Sequence, residues 1–264
     1  MKKDKSSTIQ LKSIKDINAI KKSAKLAANT IIYLSDYIYP GMTTRELDKK
    51  AERHIISHKG RPAFKGYRGY PSSICTSVNE EIIHGIPSNY ELKNGDIIGI
   101  DIGVEIDGYF GDVAYTFSVG EISESSQKLL TVTKNALKKA IESIKPDIRL
   151  VEISRIIQNY AEQKGYSVVR DYCGHGTGFE LHEVPEIPNY DFTRERNGTV
   201  KDMILLPGMV LAIEPMINQG GPDLFVLDDG WTVVTTDGLP SAHFEHTVAV
   251  MPDGTGEILT QLKW

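Results

Sequence analysis

The strongest constraint in this chain is a carboxylate placed where a soluble protein accommodates one least. Asp101 sits inside the apolar run Ile97-Ile98-Gly99-Ile100-Asp101-Ile102, and Glu214 closes the run Met209-Val210-Leu211-Ala212-Ile213-Glu214. Burying an ionised carboxylate on such a strand is costly unless it is hydrogen-bonded, paired or bound to a cation. The two segments also align, with Gly208 and Glu214 each standing 113 residues after Gly95 and Asp101. That common offset predicts a duplicated fold in which the two acids are equivalent features.

The remainder of the chain supports a repeat. Helical spacing runs from about Lys15 to Tyr37 and stops at Pro40-Gly41; Thr43 and Glu46 then form a capping box opening a helix to about Lys59. In the second half, helical stretches are predicted from about Ser125 to Ser143, ending at Pro146, and from Val151 to Lys164, closed by Gly165. Pro146 and Glu152 repeat the six-residue spacing of Pro40 and Glu46. The predicted fold class is α/β (α+β): one domain over 1–264, built from pseudo-twofold-related halves of about 10–122 and 123–264, with a site between them.

Apolar strand residues between Ile97 and Val119 flank Asp107-Gly108, a strong hairpin turn signal. A two-residue turn there sets Asp101 opposite Ala114 and places Asp112 diagonally, on the same face at roughly 7 Å. Val210 to Ile217 and Phe244 to Val250 are predicted strands, which on pairing put Glu214 beside Glu245. Polar, aperiodic residues from Asn189 to Asp202, around Asn197, predict a surface loop.

Bulk properties bound the partners. A net charge of −5 argues against a specific nucleic-acid binder, and the basic residues near the start read as a solvated helix face. No apolar run resembles a signal peptide or approaches the roughly 20 residues of a membrane span, so a cytoplasmic location is expected. Two cysteines, Cys75 and Cys173, are too few for a disulfide framework and are expected as thiols.

Asp101, Asp112, His175, Glu214 and Glu245 form the chemistry-bearing set. Individually Asp112 and Glu245 read as ordinary turn or strand-end acids, while His175, in Cys173-Gly174-His175-Gly176-Thr177-Gly178, slightly favours ligand or catalytic use over a plain glycine-rich loop. Together, four carboxylates in one apolar pocket repel one another, whereas two divalent cations neutralise them. A hard set of one imidazole and four carboxylates favours Mn, Fe(II) or Co(II) over thiolate-bound Zn.

At this point the chain resembles the type I methionine aminopeptidases of the pita-bread fold. The matching segments are Gly69-Tyr70-Pro71-Ser72-Ser73-Ile74-Cys75, His84-Gly85-Ile86-Pro87, the hairpin of Asp101 and Asp112, Gly174-His175-Gly176-Thr177-Gly178, Ile213-Glu214-Pro215-Met216 and Phe244-Glu245-His246-Thr247. The resemblance implies that Asp101, Asp112, His175, Glu214 and Glu245 bind two divalent cations, Asp112 and Glu245 bridging them. It further implies that His84 and His182 contact the scissile peptide and that Tyr67, Tyr70, Cys75, Tyr172 and Trp231 line a pocket for a methionine side chain. Read without the family, those aromatics serve equally as core. The implied reaction is removal of the initiator methionine from nascent or new polypeptides when the second residue is small. A metal-bridging hydroxide would attack the first peptide bond, with Glu214 shuttling the proton and His182 stabilising the oxyanion. The ribosome is a candidate partner, and a monomer is expected.

Arg68, Gly103 and Leu181 depart from the pattern of bacterial relatives, which often carry His, Thr and an aromatic there. Three other readings compete. A proline-specific peptidase of the same fold should bring a large amino-terminal domain, a metal-free peptide-binding module would hold no metal, and a two-metal phosphoesterase should place basic phosphate contacts near the acids.

Overall fold

A computed structural model describes residues 8–194 and 200–262, so the loop residue Asn197 lies outside the described residues. The first half contains α1 (Ile14–Ser35), α2 (Thr44–Ser57), β1 (Arg61–Pro62), β2 (Cys75–Val78), β3 (Glu81–Ile83), β4 (Ile97–Ile106) and β5 (Tyr109–Ser118). The second contains α3 (Glu124–Glu142), α4 (Leu150–Glu162), β6 (Ser167–Val168), β7 (Cys173–Gly176), β8 (Glu183–Pro188), β9 (Val210–Ile213) and β10 (Met216–Asn218). It continues with β11 (Leu224–Val226), β12 (Val233–Thr235), β13 (Ser241–His243), β14 (His246–Val250) and β15 (Gly256–Ile258).

Each half lays a helix pair on antiparallel strands. Ser13 and Asp16 cap α1 reciprocally, and Thr43 and Glu46 do the same for α2, as the sequence predicts. The start of α4 differs: Arg149 offers no side-chain cap, and the carboxylate of Asp202 instead accepts from the Val151 amide at 3.1 Å while pairing with Arg149. One apolar cluster joins α1 and α2 to β2, β4 and β5, and a second joins α3 and α4 to β9, β13 and β14. A third unites the halves, because Ile17, Ile20 and Ala24 of α1 pack on Val210, Ala249 and Leu259.

The β4–β5 hairpin turns at Asp107 (φ 53°) and Gly108 (φ 81°), the left-handed pair that a two-residue turn requires. Its register sets Asp101 opposite Ala114 and Gly103 opposite Asp112. In the second half the expected strand from Val210 to Ile217 is interrupted at the acid, and the one expected from Phe244 begins only at His246, after a gap that holds Glu245. β9 stops at Ile213 and β10 resumes at Met216, while β13 stops at His243 and β14 resumes at His246. Pairing of Ile213 with His246 and of Met216 with His243 keeps one register across both gaps, so Glu214 stands opposite Glu245. The physical reason for the interruption is partly Pro215, which has no N–H to give a ladder. The Glu245 amide, in turn, donates to the Ala114 carbonyl of β5 at 2.9 Å.

That bond belongs to a seam between the halves. Thr247 Oγ1 accepts from the Asp112 amide at 3.0 Å and donates to the Asp112 carbonyl at 2.7 Å. Thr116 Oγ1 treats His243 in the same manner, at 3.0 and 2.7 Å. Glu245 and Thr247 each lie 133 residues after Asp112 and Ala114, so the contact of Asp112 with Thr247 and that of Ala114 with Glu245 are equivalent across a twofold. The acids therefore meet on the local symmetry axis.

Candidate active site

A cavity of about 390 Å³ opens over this seam, and all five expected ligands line it. β4 and β5 deliver Asp101 and Asp112 on one face of the hairpin, and the two strand gaps deliver Glu214 and Glu245. His175 comes from β7, held against β9 so closely that a Cβ on Gly174 would lie 2.4 Å from the Ala212 carbonyl oxygen. Its Nδ1 donates to the Gly176 carbonyl at 2.9 Å, which leaves the Nε2 lone pair facing the cavity, 3.4 Å from Glu214 Oε1. Ligand atoms of Asp112, His175 and Glu245 all lie within 4.8 Å of one another.

The electrostatics of this group are unfavourable as they stand. Burial raises Asp101, Glu214 and Glu245 well above the ordinary carboxylate range, and mutual repulsion among these acids and Asp112 adds to it. Burial also lifts Asp112 to about 7 and lowers His175 to about 4. Asp101 Oδ1 and Glu245 Oε1 are buried without a hydrogen-bond partner, and a buried acceptor in that condition costs free energy. Divalent cations fit the site on both counts, supplying positive charge and filling the open coordination of these oxygens.

Above the acids the walls change character. His84 adopts φ 59°, a left-handed conformation, and the next residue packs closely on β2: a Cβ on Gly85 would stand 2.2 Å from the Thr76 carbonyl oxygen. The Gly85 carbonyl accepts from the Thr76 amide and the Tyr70 hydroxyl, both at 2.9 Å. The His84 ring stands edge-on to Tyr172 (5.5 Å) and Trp231 (6.4 Å), and burial lowers its pKa to about 4. His182 meets the Tyr67 hydroxyl through Nδ1 at 2.9 Å and packs 4.2 Å from the His175 ring. Desolvation within the cleft, followed by His175, Arg68 and His84, drives its pKa strongly down, so both histidines are neutral near pH 7.

Tyr67, Tyr70, Cys75, Tyr172 and Trp231 all line the same cavity, together with His84, His182 and the five expected ligands. Trp231 contacts Tyr70 edge-on at 5.1 Å, and the Cys75 thiol is buried with its pKa raised by desolvation. Gly103 has a steric reason, because a Cβ there would come within 2.5 Å of Phe64, which fills the space beside Asp112's strand. Leu181 packs with Ala63, Phe64, Tyr70 and Cys75, and Arg68 extends from the pocket rim over the Tyr67 ring.

A family model described as metallopeptidase family M24 matches residues 18–252. The chain belongs to metallopeptidase family M24. Within that family it is 49% identical over 255 residues to a methionine aminopeptidase of Clostridium perfringens, covering 97% of this chain and 100% of that one. A crystal structure of methionine aminopeptidase from Rickettsia prowazekii superposes with a TM-score of 0.90 at 43% identity, covering 96% of this chain and 100% of that one. A prolidase from Pyrococcus horikoshii is more distant, at TM-score 0.76 and 26% identity, and this chain spans only 64% of its length. The family shares the pita-bread fold expected from the sequence, and its membership establishes a peptidase that uses divalent metal.

Other residues around this M24 site were not legible beforehand. His243 is buried, with Nε2 3.4 Å from Glu214 Oε2; its two-residue spacing from Glu245 was the available signal. Phe64, Ile83 and Glu186 line the cavity, and nothing in their local sequence marks them. No described helix is long and apolar enough to cross a membrane.

Proposed function

We propose that the enzyme is a methionine aminopeptidase that removes the initiator methionine from new polypeptides when the second residue is small. The convergence of four carboxylates, Asp112 and Glu245 buried and Asp101 and Glu214 half-buried, with His175 at the floor of a cavity walled by aromatics and a thiol carries this reading. Asp101, Asp112, His175, Glu214 and Glu245 would hold two divalent cations, with Mn, Fe(II) and Co(II) suited to such oxygen-rich donors. When bound, the cations supply Lewis acidity for the scissile carbonyl and acidify the attacking water.

The chain's own groups perform the remaining work. Tyr67 donates its hydroxyl proton to His182 Nδ1, which leaves Nε2–H of a neutral imidazole to hydrogen-bond the developing oxyanion. Glu214, close to both His175 and His243, takes the proton from the nucleophile and returns it to the leaving amine. His84, fixed by the Gly85 backbone, holds the next peptide group. Tyr70, Cys75, Tyr172 and Trp231 accept an unbranched thioether, for which aromatic edges and a soft sulfur are suited partners. Chain and site work as one catalytic unit, in keeping with a cytoplasmic setting in which Cys75 and Cys173 stay free.

The deciding experiment compares cleavage of Met-Ala-Ser, Leu-Ala-Ser and Ala-Pro peptides with Mn(II), Fe(II) and Co(II). Selective release of methionine is expected; equal turnover of the leucine peptide, or preference for Ala-Pro, overturns the assignment in favour of a broad or proline-directed peptidase.

A further inference from the structure

We propose that Lys12 is a positioning residue for His182, acting through Glu183; the proposal rests on the aminopeptidase reading of the cleft. Lys12 precedes α1, yet its side chain is only 2% exposed and is ion-paired with the Glu183 carboxylate, itself 5% exposed. A buried ion pair seldom adds stability over an apolar pair of the same shape, because both ions lose their hydration. What this pair does supply is a defined geometry.

Glu183 closes the turn from Gly178 to Glu183. Its Oε1 accepts from the amides of Phe179 (2.7 Å) and Glu180 (3.0 Å), and its Oε2 takes the Lys12 ammonium. The same turn is pinned where it leaves β7, since the Gly178 carbonyl accepts from the Phe110 amide at 2.8 Å. Gly178 adopts φ 131°, and a Cβ there would lie 3.0 Å from Lys12 Cε and 2.7 Å from Ile20 Cδ1, so lysine and turn are packed against each other. The ammonium also lies 5.3 Å from the centroid of the Phe179 ring. At its own backbone, Lys12 donates to the Gly208 carbonyl at 2.7 Å, at the turn leading into β9, which ends just before Glu214.

His182 is the residue immediately before Glu183, and its side chain meets the Tyr67 hydroxyl. The Glu183 carboxylate, bonded to the Phe179 and Glu180 amides, holds the turn that carries His182. Loss of the ammonium leaves that carboxylate buried and uncompensated, and the two turn amides are then held by a group driven toward water. The consequence falls on His182, whose ring must stay over the floor of the cleft beside His175.

The test measures kcat and KM for Met-Ala-Ser, Mn(II) affinity by calorimetry and thermal midpoint for the wild type, Lys12→Met, Lys12→Arg, Glu183→Gln and the Met/Gln double variant. A displacement of about 1 Å at a reacting group costs on the order of 100-fold in rate. Lys12→Met is expected to lower kcat by roughly 10- to 100-fold with KM and Mn(II) affinity changed less than about threefold. Lys12→Arg should recover most of that loss. Glu183→Gln should show the same selective fall in kcat, and the double variant should be no worse than Lys12→Met, since the two side chains act as one unit. Lys12→Met with full kcat beside an active wild type overturns the role of Lys12 alone, and so does a parallel loss of kcat and Mn(II) affinity. If Lys12→Met does not fold, Glu183→Gln decides by the same criteria. A wild type that does not cleave Met-Ala-Ser overturns the aminopeptidase reading and this proposal with it.

Discussion

The seam between the halves can be probed by replacing Thr247 with valine, which keeps the β-branched shape and removes one hydroxyl. Thr247 is fully buried, and that hydroxyl serves both the amide and the carbonyl of Asp112. Thr247→Val leaves two backbone groups buried without partners, each at a cost of about 1–3 kcal/mol, for a total of about 2–6 kcal/mol. Against a domain stability of roughly 5–15 kcal/mol this is a large fraction. With a urea slope of about 3 kcal/mol/M, the unfolding midpoint should fall by about 0.7–2 M. Thr247→Ser retains both hydrogen bonds and should recover most of the loss, while Thr116→Val, which strips the corresponding pair from His243, should resemble Thr247→Val. Because the Asp112 backbone is anchored by this contact, Mn(II) affinity should drop in Thr247→Val as well. Urea midpoints for Thr247→Val and the wild type within about 0.3 M of each other would refute the claim that hydroxyl bridges hold the halves in register.

Other expectations follow from the same geometry. Mn(II) at about 100 times its Kd should stabilise the wild type by about 2.7 kcal/mol, a shift of about 5–10 °C by scanning fluorimetry, and Asp112→Asn should abolish the shift. Glu81 is raised to about 7 from 4.5, foremost by burial, so the folded state favours its neutral form. Its stabilising contribution is complete below pH 4.5 and is lost as pH rises through 7. Glu81→Gln should therefore match the wild type near pH 4.5 and exceed it by up to about 3 kcal/mol at pH 8, measured by urea unfolding at each pH. Gly85→Ala should abolish peptide turnover while leaving Mn(II) affinity within about threefold, because the new Cβ collides with the Thr76 carbonyl beside His84 and away from the acids.

What could be read from the chain was local or repeated. The Asp107-Gly108 turn fixes the hairpin register by chemistry contained in two residues, and that register alone puts Asp101 and Asp112 on one face. The capping box at Thr43 and Glu46 likewise announces α2 within four residues. Interruptions at Glu214-Pro215 and Phe244-Glu245 were invisible because the apolar pattern runs through them, and the backbone partner that explains Glu245, Ala114, is distant in sequence. Lys12 reads as one member of a basic opening segment until its partner 171 residues away is known. For the same reason α4, which lacks a cap of its own, depends on Asp202, 51 residues from the amide it accepts. Gly103 reads as a lost side chain, and the structure gives the cause in Phe64.

The placement of the acids follows from how the halves join. A strand inside a sheet spends its backbone groups on its neighbours, whereas Glu245 lies in a gap between β13 and β14 and turns its amide to the other half. Asp112 is in regular hairpin pairing, yet its backbone is met from outside by Thr247. Equivalent positions of two related halves are thus brought face to face, and a charge repeated in both is brought against its own copy. Neutral side chains at those positions would relieve the repulsion, and the buried oxygens of Asp101 and Glu245 would then have no reason to remain without partners. Retaining carboxylates at a junction that could be apolar concentrates unfavourable charge on the symmetry axis, where cations held between the halves would relieve it from both sides at once. Catalysis and cohesion of the halves would then draw on the same contacts, and a hydroxyl in the seam should bear on metal affinity as well as on stability.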